Sequence, residues 1–254
     1  MLDKNINIQI DQYNIFIGGL SEKGVDKKIN QDAFCVGINE KYELAYIIVA
    51  DGLGSCKYSD VGAGQIVEII QKWFTEQLPQ YTYISENVAN IMIKKMVEEW
   101  NDSHDLKTIC DYDTTIHFAV FYKGSLLIGG IGDGMMLMES DNTECKDYVD
   151  EEDLFSNITN SICSLNAYEL IETDIMTVDN YEKYAVVIIS TDGIADDLIP
   201  DKKITLPKYF RETIERNGIS SLQEELRDWI SDWETENHSD DKTLCYLVVE
   251  REGV

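Results

Sequence analysis

Three runs of branched, apolar residues each end in an aspartate beside a glycine: Ile47-Ile48-Val49-Ala50-Asp51-Gly52, Leu127-Ile128-Gly129-Gly130-Ile131-Gly132-Asp133-Gly134 and Val187-Ile188-Ile189-Ser190-Thr191-Asp192-Gly193. A single Asp-Gly pair is a common turn. Its repetition after strand-like runs means more, because a carboxylate on a short turn at the end of a strand is held rigidly at a sheet's rim, within reach of a ligand. Carboxylates that converge there repel by about 4 kcal/mol per pair at ~4 Å and an effective dielectric of ~20, and a divalent cation reverses that sign. The ligands would all be oxygen, since His104, His117 and His238 do not cluster in sequence and none joins these turns. Oxygen sets favour Mg2+ or Mn2+ over zinc or copper. His117, inside an alternating stretch, reads as a packed or hydrogen-bonded residue, and His104 and His238 read as solvated in polar loops.

The elements that must carry these turns follow from periodicity. Tyr13 to Gly18, Ala33 to Ile38 and Leu44 to Ala50 read as neighbouring strands separated by Gly, Asn, Asp and Lys clusters. Ile66, Ile69, Ile70 and Trp73 recur at helical spacing, as do Val88, Ile91, Met92, Met96 and Trp100, with Ser85 as N-cap of the second helix. Ile116 to Tyr122 alternates, Lys123-Gly124 turns the chain, Leu126 to Gly130 runs back, and Met135 to Met138 is expected to continue the meander. Periodicity weakens from Glu139 to Asn180, where irregular loops and one strand are expected. Tyr184 to Ser190 is a buried strand, Pro207 opens two helical stretches, the second with Leu222, Leu226, Trp229, Ile230 and Trp233, and Leu244 to Val249 is a final strand. Strands, helix pair, strands, helix pair, strand is not the strict alternation of a parallel sheet, so antiparallel sheets covered by helices are expected.

The 254 residues, 44% of them apolar, fit one globular unit, with no repeat or linker in sight. A formal charge of −27 makes nucleic acid and anionic membranes poor partners. Six scattered cysteines form no C-x-x-C pair, and no export signal or long apolar stretch is present, so a cytoplasmic chain with reduced thiols is expected.

Asn30-Gln31-Asp32, Val49-Ala50-Asp51-Gly52-Leu53-Gly54, Gly132-Asp133-Gly134, Ser190-Thr191-Asp192-Gly193-Ile194-Ala195-Asp196 and Asp240-Asp241-Lys242-Thr243 resemble, in order and content, the protein phosphatase 2C family. Each piece is short, but together they extend over nearly the whole chain. The resemblance implies an α+β fold, a four-layer αββα sandwich of two packed, mainly antiparallel sheets flanked by helix pairs, in a single domain over 1–254. It implies two Mn2+ or Mg2+ ions at one end, with Asp51 bridging both, the Gly52 carbonyl on one, and Asp192 and Asp240 on the other. Asp133 and Asp196 match acids that hold a third, weaker ion. Asp32 matches an acid that hydrogen-bonds metal-bound water, and Gln31 stands where many members have Glu. Thr114 and Thr115 match a small polar pair before the central hairpin, while Asp241 and Thr243 are expected to lock the last loop by side-chain to backbone hydrogen bonds. The implied activity is hydrolysis of phosphoserine and phosphothreonine in proteins by water activated between two metals, without a phosphoenzyme. A phosphorylated protein substrate and a partner Ser/Thr kinase follow from it.

The chain also departs from the family. Lys27 replaces an arginine that grips the substrate phosphate in many members, so a point charge takes the place of a fork, with Lys28 or Lys23 as substitutes. Leu53 replaces a histidine that some relatives carry after the Asp-Gly. The weak segment at about 139–180 falls where relatives carry a variable flap. These departures leave two further readings open: a module of the same fold that binds a phosphorylated partner without turnover, and a two-metal hydrolase of another phosphoester.

Overall fold

The structure, a computed structural model, describes residues 1–149, 159–177, 181–233 and 239–252. Its strands are β1 (Leu2–Ile10), β2 (Tyr13–Glu22), β3 (Asp32–Asn39), β4 (Leu44–Asp51), β5 (Ile116–Tyr122), β6 (Ser125–Ile131), β7 (Met135–Ser140), β8 (Lys146–Asp147), β9 (Glu172–Met176), β10 (Tyr184–Ser190) and β11 (Lys242–Arg251). The long helices are α1 (Ser59–Lys72), α2 (Glu86–Asp102), α3 (Leu206–Asn217) and α4 (Ile219–Ser231). One sheet has the order β1-β2-β11-β10-β7-β8 and the other β3-β4-β5-β6-β9. Every pairing is antiparallel.

Burial explains why the central strands read as continuous apolar runs. In β10, Ala185, Val187 and Ile189 point into the layer between the sheets, while Val186 and Ile188 pack under α3 and α4 beside Phe210, Leu222 and Leu226. In β4, Ala45, Ile47 and Val49 fill the same middle layer, and Leu44, Tyr46, Ile48 and Ala50 pack under α1 and α2. A strand covered on both faces has no polar side to alternate with. The result is helices, sheet, sheet, helices, as the resemblance implied.

Helix boundaries follow local chemistry. Ser85 Oγ accepts the Val88 backbone N–H at 3.3 Å, the capping bond expected for α2. Pro207 sits in the first turn of α3, and Gly218, at φ +85°, separates α3 from α4. Among the described residues no helix is long and apolar enough to cross a membrane.

Five expectations need correction. Tyr13–Glu22 is not a neighbour of β3 and β4: it lies in the other sheet, between β1 and β11. Met135–Ser140 does not continue the meander of β5 and β6: it crosses to the other sheet and pairs with β10. Gly132, at φ +127°, makes the crossing, and Gly134 completes it where an added Cβ would lie 2.2 Å from the Ser190 carbonyl oxygen. β1 was not foreseen, although Ile6, Ile8 and Ile10 alternate with polar residues, because only one of its faces packs. Ile91 is 48% exposed and Ile93 is the buried residue of that turn. Finally, the stretch read as irregular contributes β8, β9 and the short helix Ala167–Leu170; its residues 150–158 and 178–180 lie outside the described residues.

Candidate functional site

Strand register brings the acids to one end of the sandwich. Asp32, first in β3, lies opposite Asp51, last in β4. Ser190, last in β10, lies opposite Leu244, so Asp192 and Asp240 leave and enter neighbouring strands at the same rim. Asp133 occupies the crossing from β6 to β7. A one-residue slip in any of these ladders would turn the acids to the opposite face.

The turns are fixed by neutral donors. The Asp51 carbonyl accepts the Thr115 N–H at 2.8 Å and the Thr114 hydroxyl at 2.7 Å, giving the threonine pair its structural role. Gly52 donates its N–H to the Gln31 carbonyl at 3.1 Å, and a Cβ there would lie 2.5 Å from the Ser59 carbonyl oxygen. Asp192 opens the short helix Asp192–Ala195. Asp241, 2% exposed, accepts the N–H groups of Gly24 at 2.8 Å and Gln31 at 2.7 Å. It therefore staples both ends of the 24–31 loop onto the turn before β11, as expected. Thr243 behaves differently: its hydroxyl bonds side chains, Asp32 Oδ2 at 2.7 Å and Ser21 Oγ at 2.8 Å, and not backbone.

A cavity of about 160 Å3 is lined by Asp51, Gly52, Asp133, Asp192, Asp240 and Lys27, together with Leu53, Gly54, Thr115 and Thr159. Asp32 and Gln31 stand behind it. Asp32 Oδ2 accepts hydroxyl hydrogens from Thr191 and Thr243, while Gln31 Nε2 donates to Ser59 Oγ at 2.6 Å. Asp196 does not line this cavity. It borders a neighbouring cleft of about 750 Å3 between Lys146–Val149 and the 200–204 segment; its backbone N–H donates to the Asp192 carbonyl at 2.9 Å, and its charge acts on the Asp192 carboxyl. That cleft is larger, but Asp51, Asp133, Asp192 and Asp240 converge in the smaller cavity.

Burial pushes the Asp51 carboxyl well above its ordinary range, with the charges of Asp32 and Asp192 adding to it. Asp192 moves the same way, through burial and the charges of Asp133, Asp240 and Asp196, eased by its hydrogen bond with Asp51. Asp32 is pushed up to about 7 by burial, against the stabilising hydroxyls of Thr243 and Thr191. These acids destabilise one another as anions, the condition a divalent cation relieves.

Lys27 is the cation that faces them. Its ammonium pairs with Asp240 Oδ1 at 2.6 Å and donates to Gln31 Oε1 at 3.2 Å. Burial pulls its pKa down, but the Asp240 partner and the charges of Asp241 and Asp51 more than offset this, so it is held above its ordinary value. Lys23 is turned to its own loop, donating to the Gly24 and Lys27 carbonyls. As the side chains stand, no three His, Cys, Asp or Glu groups among the described residues are arranged to hold a metal ion. Asp240 leans on Lys27, and Asp51 is hydrogen-bonded to Asp192. The donor set nonetheless fits hard cations: it is all oxygen, it is mutually repelling, and Asp192 Oδ1 is buried with no partner.

Some residues escaped the sequence reading. Thr159 lines the cavity and donates to Asp133 Oδ2 at 2.6 Å, from a stretch with no periodic signal. Thr191 was legible as part of its motif, but its bond to Asp32 crosses the fold. His104 is not solvated: it is half-buried, packs on Trp100 and Tyr112, and its Nε2 lies 2.9 Å from Gln65 Oε1. His117 is packed and fully buried, and neither ring nitrogen has a partner. His238 lies outside the described residues.

The comparisons agree with this architecture. RsbX, crystallised with magnesium, matches with a TM-score of 0.59 at 16% identity, over 98% of this chain and 100% of its own. The catalytic domain of the serine threonine protein phosphatase PstP, in complex with two manganese ions, matches with a TM-score of 0.66 at 12% identity, over 94% of this chain and 99% of its own. Serine/threonine phosphatase Stp1 from Staphylococcus aureus matches with a TM-score of 0.65 at 14% identity, over 98% of both chains. At such identities these likenesses show the fold. No curated protein matches in sequence. The family model described as protein phosphatase 2C matches residues 22–231, which takes in the turns of Asp32, Asp51, Asp133 and Asp192, and the chain belongs to that family.

Proposed function

We propose that this chain is a metal-dependent phosphatase of phosphoserine and phosphothreonine in proteins. The observation that carries the reading is the convergence of Asp51, Asp192 and Asp240, from three distant segments, on one cavity that also holds a lysine. Asp51, the Gly52 carbonyl, Asp192 and Asp240 would hold two ions, Mn2+ or Mg2+, with Asp133 and Asp196 on the side where a third, weaker one would bind. Such ions supply an acidic water and neutralise phosphate charge. RsbX and PstP, which share the fold, were crystallised with magnesium and manganese.

The chain's own residues do the rest. Asp32 backs Asp51 with a buried Oδ1 that has no hydrogen-bond partner in the fold. Lys27 offers a point charge to the phosphate of the substrate. Leu53 offers no proton to the leaving oxygen, and a water held by a bound metal would supply it. The substrate presupposes a Ser/Thr kinase that installs the phosphate, and six free thiols support a reducing, cytoplasmic setting.

The test is phosphate release from a phosphothreonine peptide with Mn2+. We expect release that EDTA abolishes and that Asp192→Asn lowers by at least ~100-fold. Full activity in Asp192→Asn would sink the assignment. Tight peptide binding without turnover would favour the binding-module reading, and preference for a small aryl phosphate or an oligonucleotide would favour another phosphoester.

A further inference from the structure

We infer that Lys27 is a built-in competitor of the divalent cation for Asp240, an inference that rests on the metal reading above. Its ammonium is the one lysine or arginine group, among the described residues, that lines the cavity, and it sits 2.6 Å from Asp240 Oδ1. Asp240 is also the acid whose engagement separates it from the hydrogen-bonded pair Asp51 and Asp192.

The placement is not that of a free surface lysine. The loop that carries it is pinned at both ends by Asp241, next in sequence to Asp240, through Gly24 and Gln31. Gly24 packs so closely that a Cβ would lie 2.0 Å from the Ser239 carbonyl oxygen, and the Lys27 N–H bonds the Gly24 carbonyl at 3.1 Å. Gln31, itself anchored on Ser59, accepts from the ammonium and aims it. Loop and acid thus form one rigid unit, and the ion pair is only about a quarter to a third exposed, at 27% and 37%.

A divalent ion that takes Asp240 must displace this ammonium and then tolerate its charge nearby. Both effects weaken the ion seat that Asp240 shares with Asp192, while the seat at Asp51 and the Gly52 carbonyl is less affected. The displaced ammonium is then free for the phosphate, so Lys27 would exchange one anion for another between metal uptake and substrate binding. An arginine, planar and forked, would satisfy carboxylate and phosphate together and would not need to exchange.

The experiment is calorimetric titration of Mn2+ into the full chain, comparing wild type, Lys27→Met and Lys27→Arg, with thermal unfolding of each protein in EDTA as a check that it folds. Lys27→Met is expected to tighten the weaker Mn2+ step by about three- to tenfold, the size of a partly screened ion pair, and to show a larger Mn2+-induced rise in Tm than wild type. In EDTA its Tm should be lower, because the pair is lost. Lys27→Arg should titrate as wild type does. Equal or weaker Mn2+ binding by Lys27→Met, with wild type binding normally, overturns the competition alone. A folded wild type and a folded Lys27→Met that both take up no Mn2+ overturn the competition and the metal reading together.

Discussion

Replacing Asp241 by asparagine tests the clamp on which the site's geometry depends, without any metal. The two carboxylate oxygens each accept a backbone N–H, from Gly24 at 2.8 Å and Gln31 at 2.7 Å, and the side chain is 2% exposed. Hydrogen bonds to a charged group are worth about 1.5 to 3 kcal/mol each, and a buried donor left alone costs about 1 to 3 kcal/mol. An asparagine retains one acceptor and turns its own NH2 toward the second N–H, so a loss of about 3 kcal/mol is expected. Alanine orphans both donors, and a loss of about 5 kcal/mol approaches the whole stability of a marginal domain. One effect opposes this: Asp241 repels Asp32, so removing its charge relieves that acid. Working at about pH 6 keeps Asp32 largely protonated, since it titrates at about 7, and makes the relief small. Urea unfolding in EDTA should show a lower midpoint at unchanged slope for Asp241→Asn. A difference under about 1 kcal/mol at that pH would show that the 24–31 loop is held by something else.

With a chelator present, stability should fall as pH rises toward 7. Asp32, raised from 3.8 to about 7, keeps a proton in the fold that the unfolded chain has already released, so the native state binds more protons over that range and loses up to about 1.4 kcal/mol per pH unit for this group, falling to about half that at pH 7. Asp51 and Asp192 shift in the same direction, whereas buried His117, lowered from 6.5 to about 3, has the opposite slope between those values, so the fall is cleanest from about pH 6.5 to 7. Urea midpoints that rise across that interval would contradict the burial of these acids. His117 itself should show an NMR titration with no protonation above about pH 4, and an ordinary imidazole midpoint would place it in water. Two glycines of α1 should respond oppositely to alanine. Gly64→Ala meets nothing within 4 Å and should stabilise by about 1 kcal/mol through helix propensity, while Gly62→Ala would set its Cβ 1.9 Å from the Tyr112 carbonyl oxygen and should destabilise by at least ~2 kcal/mol. Melting temperatures that move the same way for both would contradict the close approach of Gly62 to the Tyr112 carbonyl.

The legible parts of this chain were those in which a physical constraint acts locally. β10 and β4 were plain because burial on both faces demands unbroken branched residues, and Ser85 was plain because a helix start needs an acceptor for its free N–H groups. β1 lies at a sheet edge with most of its side chains exposed, so its alternation was weak. The crossing at Gly132–Gly134 could not be read, since Lys123-Gly124 and Gly132-Asp133-Gly134 look alike as turns; which sheet β7 joins is decided by its ladder with β10, some fifty residues on. The acids were legible as strand-ending turns and their identity through family likeness. Their mutual arrangement was not, because Asp240 meeting Lys27 and Thr243 meeting Asp32 are pairings set by the register of β2, β3 and β11.

The way these acids are held bears on what they are for. A buried carboxylate can be stabilised by a cation or by neutral donors, and the two have opposite consequences for a metal site. Asp32 rests on the hydroxyls of Thr191 and Thr243, Asp133 on that of Thr159, Asp241 on two backbone N–H groups, and the Asp51 turn on Thr114 and Thr115. Neutral donors orient an acid without cancelling its charge, so repulsion among Asp51, Asp192 and Asp240 persists in the fold and is available to draw a cation from solvent. Had these positions been paired with buried arginines, the sandwich would gain a satisfied ion-pair network and would have no repulsion left for a divalent cation to relieve. Lys27 is the exception, and it enters from the solvent side on a loop, where it can leave. The cost of holding anions together is thus kept at the rim, away from the apolar layers that supply the fold's stability, and it is there that a phosphate and its metals would meet.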